Sequence, residues 1–122
     1  MAKGKLKPLM PTLREKKRYL VYEVISKSRH NDAVHVNKAI LDASKEFLGS
    51  LGMAKAGILP LDDQWSQNTQ RGIVRVSNKH ADNVKASFIF VKSIGNHEAI
   101  VRSVGASGVL KRAKEKYFNV AQ

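Results

Sequence analysis

The sequence predicts a mixed α/β domain of the α+β type: a ferredoxin-like βαββαβ sandwich, two helices on one face of a four-stranded antiparallel sheet, with one extra C-terminal helix. Three observations predict it. Apolar periodicity runs in the order strand, helix, strand, strand, helix, strand. The chain has 122 residues and no cysteine, which suits one domain that buries its core without disulfides. No internal repeat or long linker divides it, so residues 1–12 read as a flexible basic arm and 13–122 as a single domain.

The arm combines Lys3, Lys5 and Lys7 with Pro8 and Pro11 and has no periodicity. From Arg18 to Ser26 the pattern places Leu20, Tyr22 and Val24 on one face and Tyr19, Val21 and Ile25 on the other, a strand buried on much of both faces. "SRHND" follows as a turn, with Asn31 or Asp32 as the helix cap. Val36, Ile40, Ala43, Phe47 and Leu51 then form a helical stripe directed at a core, and Gly49 and Gly52 are its stop signals. "GILPLDDQW" and "RGIVRVS" read as two strands joined by "SQNTQ". Pro60 lacks an amide donor, so the first of these strands is expected at an edge or bulged. Residues 80–94 fit a helix through Val84, Phe88 and Val91, with Asn78 or Asp82 as cap, and also permit a strand through Phe88 and Phe90; length favours the helix. "EAIVRSV" is the last strand, and "SGVLKRAKEKYF" a helix capped by Ser107.

Charge is the most informative total. Residues 1–30 carry nine Lys/Arg against two acids, residues 31–98 eight against seven, and residues 99–122 five against one, giving a net +12 concentrated at the two ends. Solubility alone gives no reason for that segregation, whereas a polyanionic partner does, and nucleic acid is the first candidate. A membrane surface is the weaker candidate, because no basic helix carries bulky apolar residues to insert. The longest apolar runs are too short to span a bilayer, and the N-terminus lacks the apolar core of a signal peptide, so a cytoplasmic protein is expected.

The candidate phosphate-binding residues are Arg14, Lys16, Lys17 and Arg18 before and within the first strand, and Lys111, Arg112, Lys114 and Lys116 on the last helix. Arg112 and Lys116 are like charges four apart, which costs an isolated helix roughly 0.2 to 0.5 kcal/mol and is easier to explain if phosphates neutralise them. Ser107 and Gly108, at the start of that helix, are a possible phosphate seat, although a plain capped helix is the simpler reading. The stacking signature of an RNA-recognition motif is absent: Arg71 and Gly72 match its opening, but Ile73 and Val76 stand where rings are needed. The sheet face left open is therefore expected to pack on a protein or on the extra helix. "GASG" has the spacing of a KH loop but follows a strand instead of joining two helices. No catalytic constellation appears. Asp62 and Asp63 would point to opposite faces of a strand, and His30, His35, His80 and His97 have no ligand spacing and read as surface or satisfied histidines.

"PTLREKKRYLVYEV", "VKASFIFVKSI" and "VRSVGASGVLKRAKEKY", in that order and spacing, resemble the archaeal ribonuclease P protein component 2 family, with "FLGSLGMAKAGI" a weaker match between them. Val109 stands where that family usually has threonine or another small residue. The resemblance implies a subunit of the ribonucleoprotein that removes the 5′ leader from precursor tRNA. It further implies that the RNA carries the catalytic magnesium, that the protein itself binds no cofactor, and that the isolated protein is inactive. The implied partners are ribonuclease P RNA, precursor tRNA within the complex, and protein component 3, in a heterotetramer of two chains of each protein. The alternative is a general structured-RNA-binding or ribosome-associated protein with no part in tRNA processing. A small-ligand ferredoxin-like regulator is a third reading, and the charged ends count against it.

Overall fold

The computed structural model describes residues 16–119, so the arm at 1–12 and Arg14 lie outside the described residues. Its elements are β1 (Lys17–Ile25), α1 (Val34–Ala56), β2 (Leu59–Ser66), β3 (Arg71–Ser77), α2 (Ala81–Ser87), the short pair β4 (Ser93–Ile94) and β5 (His97–Glu98), β6 (Ile100–Ser107) and α3 (Leu110–Tyr117). The main sheet has the order β2-β3-β1-β6 with antiparallel neighbours throughout, and β4 and β5 form a separate hairpin. This is the ferredoxin-like arrangement with a C-terminal helix added.

Alternation along β1 builds two cores. Leu20, Tyr22 and Val24 face α1 and α2 and join Val36, Ile40, Val74, Val76, Val84 and Phe88. Val21, with half-buried Tyr19, faces the other way and packs with Ile73 and Ala113 of α3. The extra helix thus covers the sheet face that lacks the other two, as the missing stacking rings led us to expect. β2 is an edge strand, and its pairing with β3 is interrupted between Pro60 and Trp65, so it is both edge and irregular.

Several local expectations are corrected. The buried stripe of α1 runs from Val36 to Ala43 and Ser44, where the Ser44 hydroxyl lies 3.0 Å from that of Ser87 on α2, and burial returns only at Ala56. Phe47 and Leu51 are 45% and 69% exposed. Phe47 stacks at the surface on Phe90, and Gly49 (φ 75°, ψ 174°) breaks the helical path before Leu51. Gly49 thus ends the first of two helical segments, as expected of a stop signal, whereas Gly52 stops neither; the second segment ends at Gly57 in the left-handed conformation (φ 59°, ψ 44°). Residue 33, an alanine, occupies the N-cap of α1, and Asp32 accepts from the Val34 amide at 3.1 Å. The expected helix over 80–94 is shorter: 3-10 turns at Asn78–His80 and Phe88–Phe90 flank α2, neither Asn78 nor Asp82 caps it through its side chain, and the chain turns at Gly95 (φ 62°) into a hairpin. Ser107 does not cap α3 directly, because that helix begins three residues later with Val109 at its N-cap.

One buried polar chain ties the layers together. The Tyr22 hydroxyl donates to Asn37 Oδ1 at 2.6 Å, and Asn37 Nδ2 donates to Asp62 Oδ1 at 2.7 Å. Burial, with the Asp62 charge adding to it, pushes the Tyr22 phenol up, so it serves as a neutral donor. Tyr22→Phe leaves the Asn37 oxygen without that donor and is expected to cost about 1 to 3 kcal/mol, read as a lower denaturant midpoint at unchanged slope.

Candidate functional site

Antiparallel pairing brings the basic start of β1 to the same end of the sheet as the basic helix α3. Tyr19 pairs with Arg75 of β3 on one side and Ser107 of β6 on the other, so the start of β1 lies between the ends of both neighbours. Lys16 O accepts from the Asn78 amide at 2.8 Å, which fixes the residue just before β1 against the chain leaving β3. From Ser107 only Gly108 and Val109 intervene before α3. Lys16, Lys17 and Arg18 therefore sit at the same end of the sheet as Lys111 and Arg112 in the first turn of α3. All are exposed except Arg18, which is half-buried. Lys114 and Lys116 are exposed farther along the helix, and the Lys116 ammonium lies 5.6 Å from the Tyr117 ring centroid.

What holds α3 in place fixes the orientation of its cations. Ala113 is fully buried, with Leu110, Tyr117 and Phe118 packed around the same small core. Gly105 has no side chain where the Tyr117 ring lies against β6, and a Cβ there would overlap the ring. Arg71 Nη1 donates to Tyr117 O at 2.8 Å, satisfying a carbonyl at the helix end that has no partner within the helix. Arg71 Nε also lies 3.5 Å from Glu23, and Arg102 Nε donates to the other Glu23 oxygen at 2.6 Å. Glu23 thus bridges the strands on either side of β1 and neutralises cations that would otherwise repel.

The Arg71–Glu23–Arg102 group was not foreseen. Its signal was Glu23 itself, the one acid within β1, but naming its partners requires the register of both neighbouring strands. Ser107 and Gly108 take a modest place: the Ser107 hydroxyl accepts from the Val109 amide at 3.1 Å, shaping the turn into α3. Asp62 is engaged by Asn37, and among the described residues no group of three or more His, Cys, Asp or Glu side chains is placed to hold a metal ion. No helix among the described residues is long and apolar enough to cross a membrane.

His97 and His35 act on His30 at the far end of the sheet. The His30 backbone is clasped by Gln70, whose Oε1 accepts from its amide at 2.8 Å and whose Nε2 donates to its carbonyl at 3.0 Å, and Trp65 Nε1 donates to the same carbonyl at 3.1 Å. His35 and His97 are exposed, as expected of surface histidines, whereas the half-buried His30 and His80 have Nε2 and Nδ1, respectively, buried with no hydrogen-bond partner among the described residues. Burial first, then the nearby His97 and, more weakly, His35, hold the His30 imidazole below its usual range, while Asp32 opposes them. An unfolded chain therefore takes up this proton at a higher pH than the folded one. Stability is expected to fall as pH drops through about 6.5, the unfolded value. Melting temperatures from pH 7.5 to 5.5 should decline less steeply for His30→Gln than for the parent.

Sequence comparison supplies the family. The chain is 42% identical over 114 residues to the ribonuclease P protein component 2 of Thermococcus gammatolerans, covering 93% of this chain and 92% of that one. It is 39% identical over 113 residues to the protein of the same name from Pyrococcus furiosus, with the same coverage. The match to the Methanocaldococcus jannaschii protein of that name is 32% over 117 residues, 94% of this chain and 82% of the other. Residues 18–118, from the first basic strand through the last helix, match the Rpp14/Pop5 family, and the chain belongs to that family.

Proposed function

We propose that this chain is a protein subunit of ribonuclease P, the ribonucleoprotein that removes the 5′ leader from precursor tRNA, and that it binds and stabilises the catalytic RNA core through its basic ends. The observation that carries the reading is the convergence of Lys16, Lys17 and Arg18 with Lys111 and Arg112 at one end of the sheet, in a chain whose relatives bear the component 2 name. Lys114 and Lys116 extend the same surface in this reading, and Arg14, outside the described residues, is a further expected RNA contact. Phosphates along a folded RNA are closely spaced, and a cluster of cations that make no ion pairs among the described residues neutralises them with release of counterions. Lowering that repulsion reduces the magnesium needed for the active RNA fold; the magnesium resides on the RNA, the chemistry belongs to the RNA, and the isolated protein is inactive.

Protein component 3 is the protein partner in this reading, in a heterotetramer of two chains of each, with precursor tRNA bound to the assembled particle in the cytoplasm. Apolar surface supports a protein partner: Ile25 and Ile100, paired across β1 and β6, are 49% and 61% exposed, and Ile89 is 75% exposed. A general structured-RNA-binding protein would share the charge but would need no such partner and would not prefer one RNA. Competition binding separates the two readings. The ribonuclease P RNA transcript should be retained against an excess of unrelated structured RNA, and component 3 should co-purify with the chain. Equal affinity for both RNAs with no capture of component 3 favours the general binder.

A further inference from the structure

Four stretches far apart in sequence meet at the β1-start end of the sheet: 16–19, 53–57, 75–79 and 107–112. The pairing of Lys17 with Ser77 and the bond from the Asn78 amide to Lys16 O place Lys79 immediately beyond the end of β3, beside the start of β1. Gly57, which ends α1, lies close to Lys17: a Cβ on Gly57 would stand 3.8 Å from the Lys17 ammonium. Lys55 is exposed two residues before it, in the last turn of α1. None of these four stretches contains an Asp or Glu.

The ion pairs fall elsewhere. Among the described residues they engage Lys38, Arg71, Lys85 and Arg102, while Lys16, Lys17, Arg18, Lys55, Lys79, Lys111 and Arg112 have no acidic partner. Arg75 shares that end, on the rung Arg75–Tyr19–Ser107, and its Nε is buried with no acceptor among the described residues. Lys27, Arg29, Lys45 and Lys92 elsewhere also lack an acidic partner among the described residues, so what sets this end apart is that four converging stretches bring cations and no acid to it.

We infer that Lys55 and Lys79 belong to the phosphate-binding surface, which therefore wraps around the end of the sheet from α3 onto the helix layer instead of stopping at the two chain ends. The inference rests on the RNA-binding reading above and deepens it by adding two residues from the charge-balanced middle of the sequence. A nucleic-acid backbone is the ligand that fits, because its phosphates recur along a continuous path, as a row of unpaired cations on several elements requires, whereas a single small anion would occupy one position. Each phosphate contact contributes about 0.9 to the slope of log affinity against log salt for a duplex and about 0.7 for a single strand.

The test is the salt dependence of binding to the ribonuclease P RNA transcript by three full-length variants whose melting curves match the parent. K55A/K79A should lower the slope by roughly 1.4 to 1.8. K38A/K85A, which removes two cations already paired with acids, should leave it unchanged, and K111A/R112A should lower it as K55A/K79A does. An unchanged slope for K55A/K79A with a reduced one for K111A/R112A overturns the inference and leaves the RNA-binding reading standing. No change in either overturns both, and equal reductions in all three overturn the inference in favour of a diffuse electrostatic attraction.

Discussion

Replacing Lys16, Lys17, Arg18, Lys111 and Arg112 together with alanine is expected to remove about half of the salt sensitivity of RNA binding. If the eight candidate cations together with Lys55 and Lys79 each contact a phosphate, log affinity falls against log salt with a slope of about −9, and binding weakens on the order of 100,000-fold between 50 and 200 mM. Five remaining contacts give a slope of about −4.5 and a loss of roughly 500-fold over the same range. Affinity at 50 mM salt should fall by several orders of magnitude. Four of the five residues are exposed and none is in an ion pair among the described residues, so the melting temperature should move little. A quintuple variant that melts like the parent and keeps its slope would place the phosphate contacts on other faces.

The largest effect on folding is expected from Gly72→Ala. Gly72 is buried in β3, opposite Tyr22 in the register, and a Cβ there would overlap the Tyr22 ring and hydroxyl. That ring cannot yield easily. It is fully buried, has Phe88 edge-on at 6.1 Å between centroids, and carries the hydroxyl that begins the chain to Asn37 and Asp62. Overpacking a core costs about 1 to 3 kcal/mol, and displacing the hydroxyl from Asn37 adds a further loss of about 1 to 3 kcal/mol. A fall in melting temperature of about 8 °C or more is expected, larger than for Tyr22→Phe. Gly105→Ala presents the same kind of overlap to Tyr117, but that ring is half-buried on a short helix. Its effect should appear as loosened α3, with faster amide exchange in residues 110–117 and a smaller loss of global stability.

These two glycines mark the boundary of what the sequence could reveal. The alternation in "RYLVYEVIS" was sufficient to place Leu20, Tyr22 and Val24 on one face and Val21 on the other, because period-2 patterning is a property of the strand alone. Pro60 likewise announced an irregular edge, since a missing amide donor has the same consequence in any sheet. What failed depended on neighbours. The spacing of Phe47 and Leu51 is helical, but whether a stripe is buried depends on what lies opposite; α2 is only seven residues long and α1 runs past it. Gly49 was correctly a point where helical geometry ends, but a second helical segment follows it to Gly57, so Gly52 was wrongly a terminus. Ser107 was correctly a hydroxyl serving an amide near α3, displaced by the two residues that the strand-to-helix turn consumes.

The functional surface divides in the same way. The charge at the two ends was legible as composition, and the adjacency of β1 and β6 is the structural step that turns two basic segments into one region. Lys55 and Lys79 lie in the stretch where the charges balance, so no composition count could have singled them out. Their significance comes from where the acids are not, which is a property of the folded chain.

The central claim is that this protein assists the RNA catalyst by neutralising its phosphates. The most direct measurement is precursor tRNA cleavage by ribonuclease P RNA with component 3, titrated with magnesium in the absence of this chain, in its presence, and with the quintuple alanine variant. The account predicts that the parent chain shifts half-maximal cleavage to lower magnesium and that the variant returns it toward the curve without protein. Superimposable magnesium curves for the parent and the variant, with both proteins folded and present in the complex, would contradict it.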